Sequence, residues 1–156
     1  MCIIKGIGKS KAITIQAVLE IRERISSEVP KKFSVTCPTD LKNLYMESLR
    51  YLTQEVFKVV LLDNKNQIID AEDIYKGTAN SISIQSRDVF GYAIKHGACK
   101  IIVIHNHPSG DSKPSKEDIS ITKKLAKAGE LLGIHLLDHL IFGDGEMTSL
   151  KEKGIF

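Results

Sequence analysis

Residues 100–118, "KIIVIHNHPSGDSKPSKED", decide how this chain is to be read. The apolar run that leads in, "CKIIVI" from Cys99, shows no polar alternation, as expected of a strand buried on both faces. A short Pro/Ser/Gly loop follows. Pro114 and Ser115 then introduce a helix from about Lys116 to Leu132, with Ile121, Leu125, Ala128 and Leu132 as its core-facing stripe and Gly133 as its stop.

Outward from this centre, strands and helices alternate. Upstream, "PTDLKNLYMESLRYL" predicts a helix with Thr39 or Asp40 as N-cap and Leu41, Leu44, Tyr45, Leu49 and Leu52 on one face. "EVFKVVLLD" and "QIIDAEDIYKG", joined by a turn at "NKN", read as a β-hairpin. "SRDVFGYAIKHG" reads as a helix capped by Ser86 and stopped by Gly97. Downstream, "IHLLDHLIF" is a strand, "GDG" a turn and "EMTSLKEKGIF" a short closing strand and tail. The pattern is an α/β domain without a glycine-rich phosphate loop.

At the N-terminus, "IKGIGKSKAITIQAVLEIRERI" reads as a Gly-x-Gly turn feeding one helix that Ser10 caps, with Ile13, Ala17, Leu19 and Ile21 at near-helical spacing. "SSEVPKKFSVTCPTD" is a linker, which places a boundary near Pro30 to Ser34 and divides the chain into a segment 1–30 and a main domain 34–156. The 156 residues have room for a real core, and their formal charge of +3 is far from the excess of a committed nucleic-acid binder. No apolar run approaches the roughly 20 residues that span a bilayer, and "MCIIKGIGKSKA" has no signal-peptide core, so the expectation is a cytoplasmic protein without a membrane partner. Cys2, Cys37 and Cys99 stand at unrelated spacings and suggest neither a disulfide framework nor a cysteine zinc cluster; Cys99 reads as a small core residue.

Side chains two apart on a strand share a face, so His105 and His107 converge if the strand reaches them. Asp118, in the first turn of the next helix, can fold back to them. Two imidazoles, a carboxylate and a position left to water make the ligand set of a catalytic zinc site. A second reading stays open on these residues alone: Ser115 and Asp118 also have the spacing of a capping box.

The spacing His105-x-His107, seven residues, Ser115, two residues, Asp118 matches the JAMM (MPN+) metalloprotease motif H-x-H-x7-S-x2-D, and the run from Val103 to Gly145 resembles the RadC subfamily of bacterial JAMM proteins. The resemblance spans about Pro38 to the C-terminus. It implies an MPN (JAB/JAMM, cytidine-deaminase-like) fold with a curved mixed β-sheet flanked by helices. It also implies one zinc ion on His105, His107 and Asp118, and hydrolysis of peptide or isopeptide bonds. Only the resemblance selects Glu55, ahead of Glu47 and Glu72, as the general acid/base, and it gives Ser115 the developing oxyanion. Asp138 and His139 could orient a ligand histidine through its second nitrogen, although a core pair is the plainer reading. His96 reads as a helix C-terminal contact, and His135 has no evident recruit. "HNH" nucleases draw their residues from dispersed positions, and zinc deaminases need His-x-Glu and Pro-Cys-x-x-Cys, so neither fits.

"IKGIGKSKA" also looks like part of a helix-hairpin-helix element, in which Lys5, Lys9 and Lys11 would meet DNA phosphates. The alternative function is therefore a DNA-associated RadC-like module, related to repair or recombination, with an accessory metal. A non-catalytic interaction domain is a third reading, which the complete ligand set opposes.

Overall fold

The computed structural model describes residues 8–27, 33–77 and 84–156. Along the chain run α1 (Lys9–Ser27), α2 (Pro38–Leu49), β1 (Glu55–Leu62), β2 (Ile68–Gly77), α3 (Ser86–Lys95), β3 (Lys100–Asn106), α4 (Lys116–Leu132), β4 (His135–Phe142) and β5 (Met147–Ser149). The five strands form one open mixed sheet in the order β2-β1-β3-β4-β5. β3 and β4 pair in parallel through the α4 crossover, and every other pairing is antiparallel.

The run that reads as a doubly buried strand stands at the centre of the sheet, with a separate core on each face. On one face Ile102 and Ile104 pack with Val60, Leu62, Leu140 and Phe142 under α2. On the other, Ile101 and Val103 pack with Phe57, Val59 and Leu61 under Val89, Phe90 and Ala93 of α3 and Leu125 of α4. The α/β architecture with helices on both faces is the one expected.

Several helix details differ. α2 starts at Pro38 with Cys37 in the cap position, because Asp40 lies inside the first turn and accepts the backbone N–H groups of Thr36 (2.8 Å) and Cys37 (3.1 Å). Leu41, Tyr45 and Leu49 are buried as expected, whereas Leu44 and Leu52 are only partly covered. Ser86 is the first residue of α3 and Gln85 holds the cap position without a side-chain bond. α1 begins at Lys9, so Ser10 sits within the helix, and Ile13, Leu19 and Ile21 of its apolar set are exposed. Cys99 is half-buried. Ser115 does cap α4 and Gly133 ends it at φ +70°. The buried stripe of α4, however, is Asp118, Thr122, Leu125 and Gly129, while Leu132 is 49% exposed. The stripe is turned because two polar residues occupy its core-facing positions. Of the expected boundary, Pro30 to Lys32 lie outside the described residues; from Phe33 the chain is tied to the sheet, its carbonyl accepting Ile68 N–H at 2.9 Å.

Gly129 marks the closest approach of α4 to β4: a Cβ there would stand 2.3 Å from the Ile134 carbonyl oxygen and 3.3 Å from the Phe90 ring. Gly129→Ala is therefore expected to destabilise the protein by about 1–3 kcal/mol in denaturant titrations. Gly91→Ala, on the exposed side of α3 with nothing within 4 Å of the added methyl, is expected to stabilise by about 0.5–1 kcal/mol.

Candidate metal centre

β3 delivers the histidines. Its last residue is Asn106, but the ladder continues for one more bond, from His107 N–H to the Phe142 carbonyl at 2.8 Å. His105 and His107 therefore stay on one face, with their Nε2 atoms 3.0 Å apart. After His107 the chain turns sharply at Gly110 (φ +84°), whose carbonyl accepts Asp144 N–H at 2.9 Å. Gly143 permits this closeness, since a Cβ there would meet the Gly110 oxygen at 2.2 Å. The loop is thus pressed onto the β4–β5 turn, and the chain returns to the histidines at the start of α4.

There Ser115 and Asp118 form the capping box. Ser115 Oγ accepts Asp118 N–H at 3.1 Å, and Asp118 Oδ2 accepts both Ser115 N–H and the Ser115 hydroxyl at 2.7 Å. The box does not compete with the cluster, because it is what aims the carboxylate. Asp118 Oδ1 lies 3.1 Å from His105 Nε2, and Oδ2 lies 3.4 Å from His107 Nε2. His105, His107 and Asp118 form a cluster that can hold a metal ion. The separations suit one: bonds of about 2.0–2.1 Å at tetrahedral angles put neighbouring ligand atoms about 3.3 Å apart.

The electrostatics agree. Burial works against charge on Asp118, yet hydrogen bonding and the fields of His105 and His107 outweigh it and hold the carboxyl far below the usual range. The Asp118 carboxylate in turn raises His107 against the opposing effect of burial. His107 Nδ1 faces the Asp111 carbonyl at 2.7 Å, an acceptor only, so Nδ1 carries the proton and Nε2 presents its lone pair to the cluster.

Glu55 is 8% exposed, unlike a solvated residue ahead of a strand, because it is the first residue of β1. Asn106 clamps the backbone on both sides of it, accepting Val56 N–H at 2.8 Å and donating to the Gln54 carbonyl at 3.1 Å. Burial raises the Glu55 carboxyl, and the nearby imidazoles pull it back down. Glu55, His107, Ser115 and Asp118 line one cleft of about 1180 Å³. The rival acids lie elsewhere: Glu47 pairs with Arg50 and Glu72 is exposed on β2.

Asp138 and His139 separate. Ile101 pairs with Leu136 but Ile102 pairs with Asp138, so Leu137 is bulged out of the ladder. Beyond the bulge the faces exchange. His139 joins the site, its Nε2 2.8 Å from His105 Nδ1 and its Nδ1 2.6 Å from Thr122 Oγ. Asp138 points to the opposite side, where it accepts the Ser149 hydroxyl at 2.6 Å and Lys151 N–H at 3.1 Å. Burial pushes the Asp138 carboxyl up, whereas burial foremost, and then the neighbouring His105, hold His139 well below the usual imidazole range. Thr122 and Asn106 were not legible as site residues; the one signal for Thr122 is its helical spacing from Asp118.

Elsewhere, His96 Nδ1 reaches the Tyr92 carbonyl at 2.9 Å, the helix-end contact expected, and His135 is exposed on β4. Lys9 and Lys11 are exposed on α1, and Lys5 lies outside the described residues. Among the described residues no helix is long and apolar enough to cross a membrane.

Comparison with known proteins gives the family. The family model described as "RadC-like JAB domain" matches residues 35–155. A UPF0758 protein of Clostridioides difficile strain 630 is 50% identical over 155 residues, covering 99% of this chain and 66% of that protein. A UPF0758 protein of Caldanaerobacter subterraneus subsp. tengcongensis is 50% identical over 154 residues, covering 98% and 66%. One from Staphylococcus haemolyticus is 50% identical over 154 residues, covering 98% and 68%. The chain spans about two thirds of the length of these relatives. With its mixed sheet, its two helical layers and its His-His-Asp cluster, the chain belongs to the RadC-like JAB domain family.

Proposed function

We propose that this chain is a zinc-dependent hydrolase of peptide or isopeptide bonds, with residues 34–156 as the hydrolytic domain and 1–30 as a partial helix-hairpin-helix-like segment. The observation that carries the reading is the convergence of three metal-ligand groups beside a cleft that also presents a buried glutamate. Two imidazole nitrogens and one carboxylate leave a coordination position free, which is the donor set of catalytic zinc.

His105, His107 and Asp118 would hold the zinc, which when bound would supply Lewis acidity to a water near neutral pH. Glu55 takes the proton from the attacking water and delivers it to the leaving amine, a role suited to a carboxyl whose proton affinity burial has raised. Ser115 stabilises the oxyanion, for which its hydroxyl turns from Asp118 Oδ2 toward the substrate carbonyl in the same cleft. The peptide class of substrate rests on the JAMM-like spacing of His105, His107, Ser115 and Asp118. The alternative, DNA association through Lys5, Lys9 and Lys11, predicts salt-dependent oligonucleotide binding that Lys9→Ala weakens and Glu55→Gln leaves alone.

Protein purified without a histidine tag is expected to carry close to one zinc per chain by elemental analysis, and His107→Ala to lose most of it; equal zinc in both would sink the site. Because zinc displaces a proton from His107, whose pKa lies above the ordinary 6.5, zinc affinity is expected to rise about tenfold per pH unit up to that raised value and then level off. The metal-free protein should respond in the opposite sense. The His107–Asp118 ion pair contributes stability below the ordinary imidazole value, and that contribution disappears as pH rises through the raised one. In an unbiased peptide and isopeptide cleavage screen, Glu55→Gln is expected to keep its zinc and lose about 100-fold or more in rate. Cleavage unaffected by this substitution would remove Glu55 from the mechanism.

A further inference from the structure

The hydrogen bonds behind His105 favour one assignment of protons. Thr122 Oγ lies 2.5 Å from the Asp118 carbonyl oxygen, which can only accept, so the single hydroxyl proton of Thr122 is spent there. Toward His139 Nδ1, 2.6 Å away, Thr122 can then only accept, which puts a proton on that nitrogen. His139 Nε2 is left bare and accepts from His105 Nδ1 at 2.8 Å. In neutral His105, Nε2 is therefore bare as well, and it is the atom that faces Asp118 and His107. The opposite order along the same atoms would place a proton on His105 Nε2, donated to Asp118 Oδ1 at 3.1 Å, and would close the site to a cation.

We propose that Thr122 and His139 are positioning residues that hold His105 in the tautomer with a bare Nε2, the form able to bind metal. Metal-bound histidines commonly hand their second N–H to a carboxylate or a backbone carbonyl. Here the acceptor is a neutral, fully buried imidazole, with 0% exposure at both His139 and Thr122. No solvent reaches the relay to scramble its order. The direction is set at its far end by the backbone of Asp118, so one ligand residue determines the proton position on another. Phe57 holds the rings in place, stacked on His105 at 6.0 Å and edge-on to His139 at 5.6 Å.

The proposal rests on the metal centre above, but its test separates the two. In metal-free protein, at a pH above the imidazole titration range, two-bond 15N–1H correlation reports which nitrogen of His105 and of His139 carries the proton. Wild type is expected to show Nδ1–H on both. Thr122→Val, which keeps the shape and removes the acceptor, is expected to move the His105 proton toward Nε2 and to weaken zinc binding about 10–100-fold in chelator competition. Thr122→Ser is expected to restore both readings, which a purely structural role for the residue would not produce. A wild-type His105 with its proton on Nε2 would overturn the proposal without any variant. So would Thr122→Val with an unchanged tautomer and zinc affinity within about threefold of wild type. If wild type shows the expected tautomers and binds zinc but cleaves nothing, the hydrolase reading fails and the relay stands.

Discussion

Two imidazole nitrogens and a carboxylate, each able to present a lone pair, are held within little more than 3 Å of one another on a largely buried face of the sheet. In low dielectric such a convergence of acceptors is costly unless a positive charge lies among them. A proton meets the demand in acid and a divalent cation can meet it at neutral pH. Much of the local architecture keeps the three groups from relaxing apart. β3 is locked between β1 and β4, the loop after His107 is pinned to the β4–β5 turn through Gly110 and Asp144, and Asp118 is fixed by the cap of α4. The N-terminal end of a helix is also where a carboxylate is best tolerated, so the macrodipole works with the cluster.

The two faces of the central sheet do different work. The α2 face is a hydrocarbon core, closed at one corner by Asp138, which gathers the Ser149 hydroxyl and the backbone of Lys151 and so ties β5 and the C-terminal turns to β4. The α3/α4 face carries the His-His-Asp cluster at the end where β3 stops. Nearly all of its polar groups are partnered within the site: Asn106 holds the backbone around Glu55, and His139 and Thr122 stand behind His105. Burial is greatest on the inner side of the cluster, at His105, His139 and Thr122, while the outer side, with Glu55, Ser115 and His107, opens into the cleft. That division suits a centre whose ligands must be rigid and whose remaining coordination position must be reachable.

Ser115 is the point where structural and chemical demands meet. Its hydroxyl completes the helix cap and at the same time donates to the carboxylate that faces the histidines. In the proposed mechanism, a role at the oxyanion would draw on the proton that steadies Asp118 in the structure.

The sequence by itself determined the central strand, because a short β-branched apolar run without alternation fits a strand covered on both sides. It also determined the hairpin before that strand, the helix after it and the His-x-His…Ser…Asp cluster, because period two on a strand and a helix start after a short loop bring those groups together. Tertiary structure decided the rest. A single bulged residue, Leu137, exchanged the faces of Asp138 and His139, and no local preference marks where a ladder slips by one. The core stripe of α4 turned away from Leu132 toward Thr122, because α4 is oriented by what it packs on and by the Asp118 it must deliver, which outweighs the count of apolar side chains. Glu55 became a buried residue of the cleft because Asn106 bonds the backbone of Gln54 and Val56 on either side of it, a reach that exists only once β1 and β3 lie side by side.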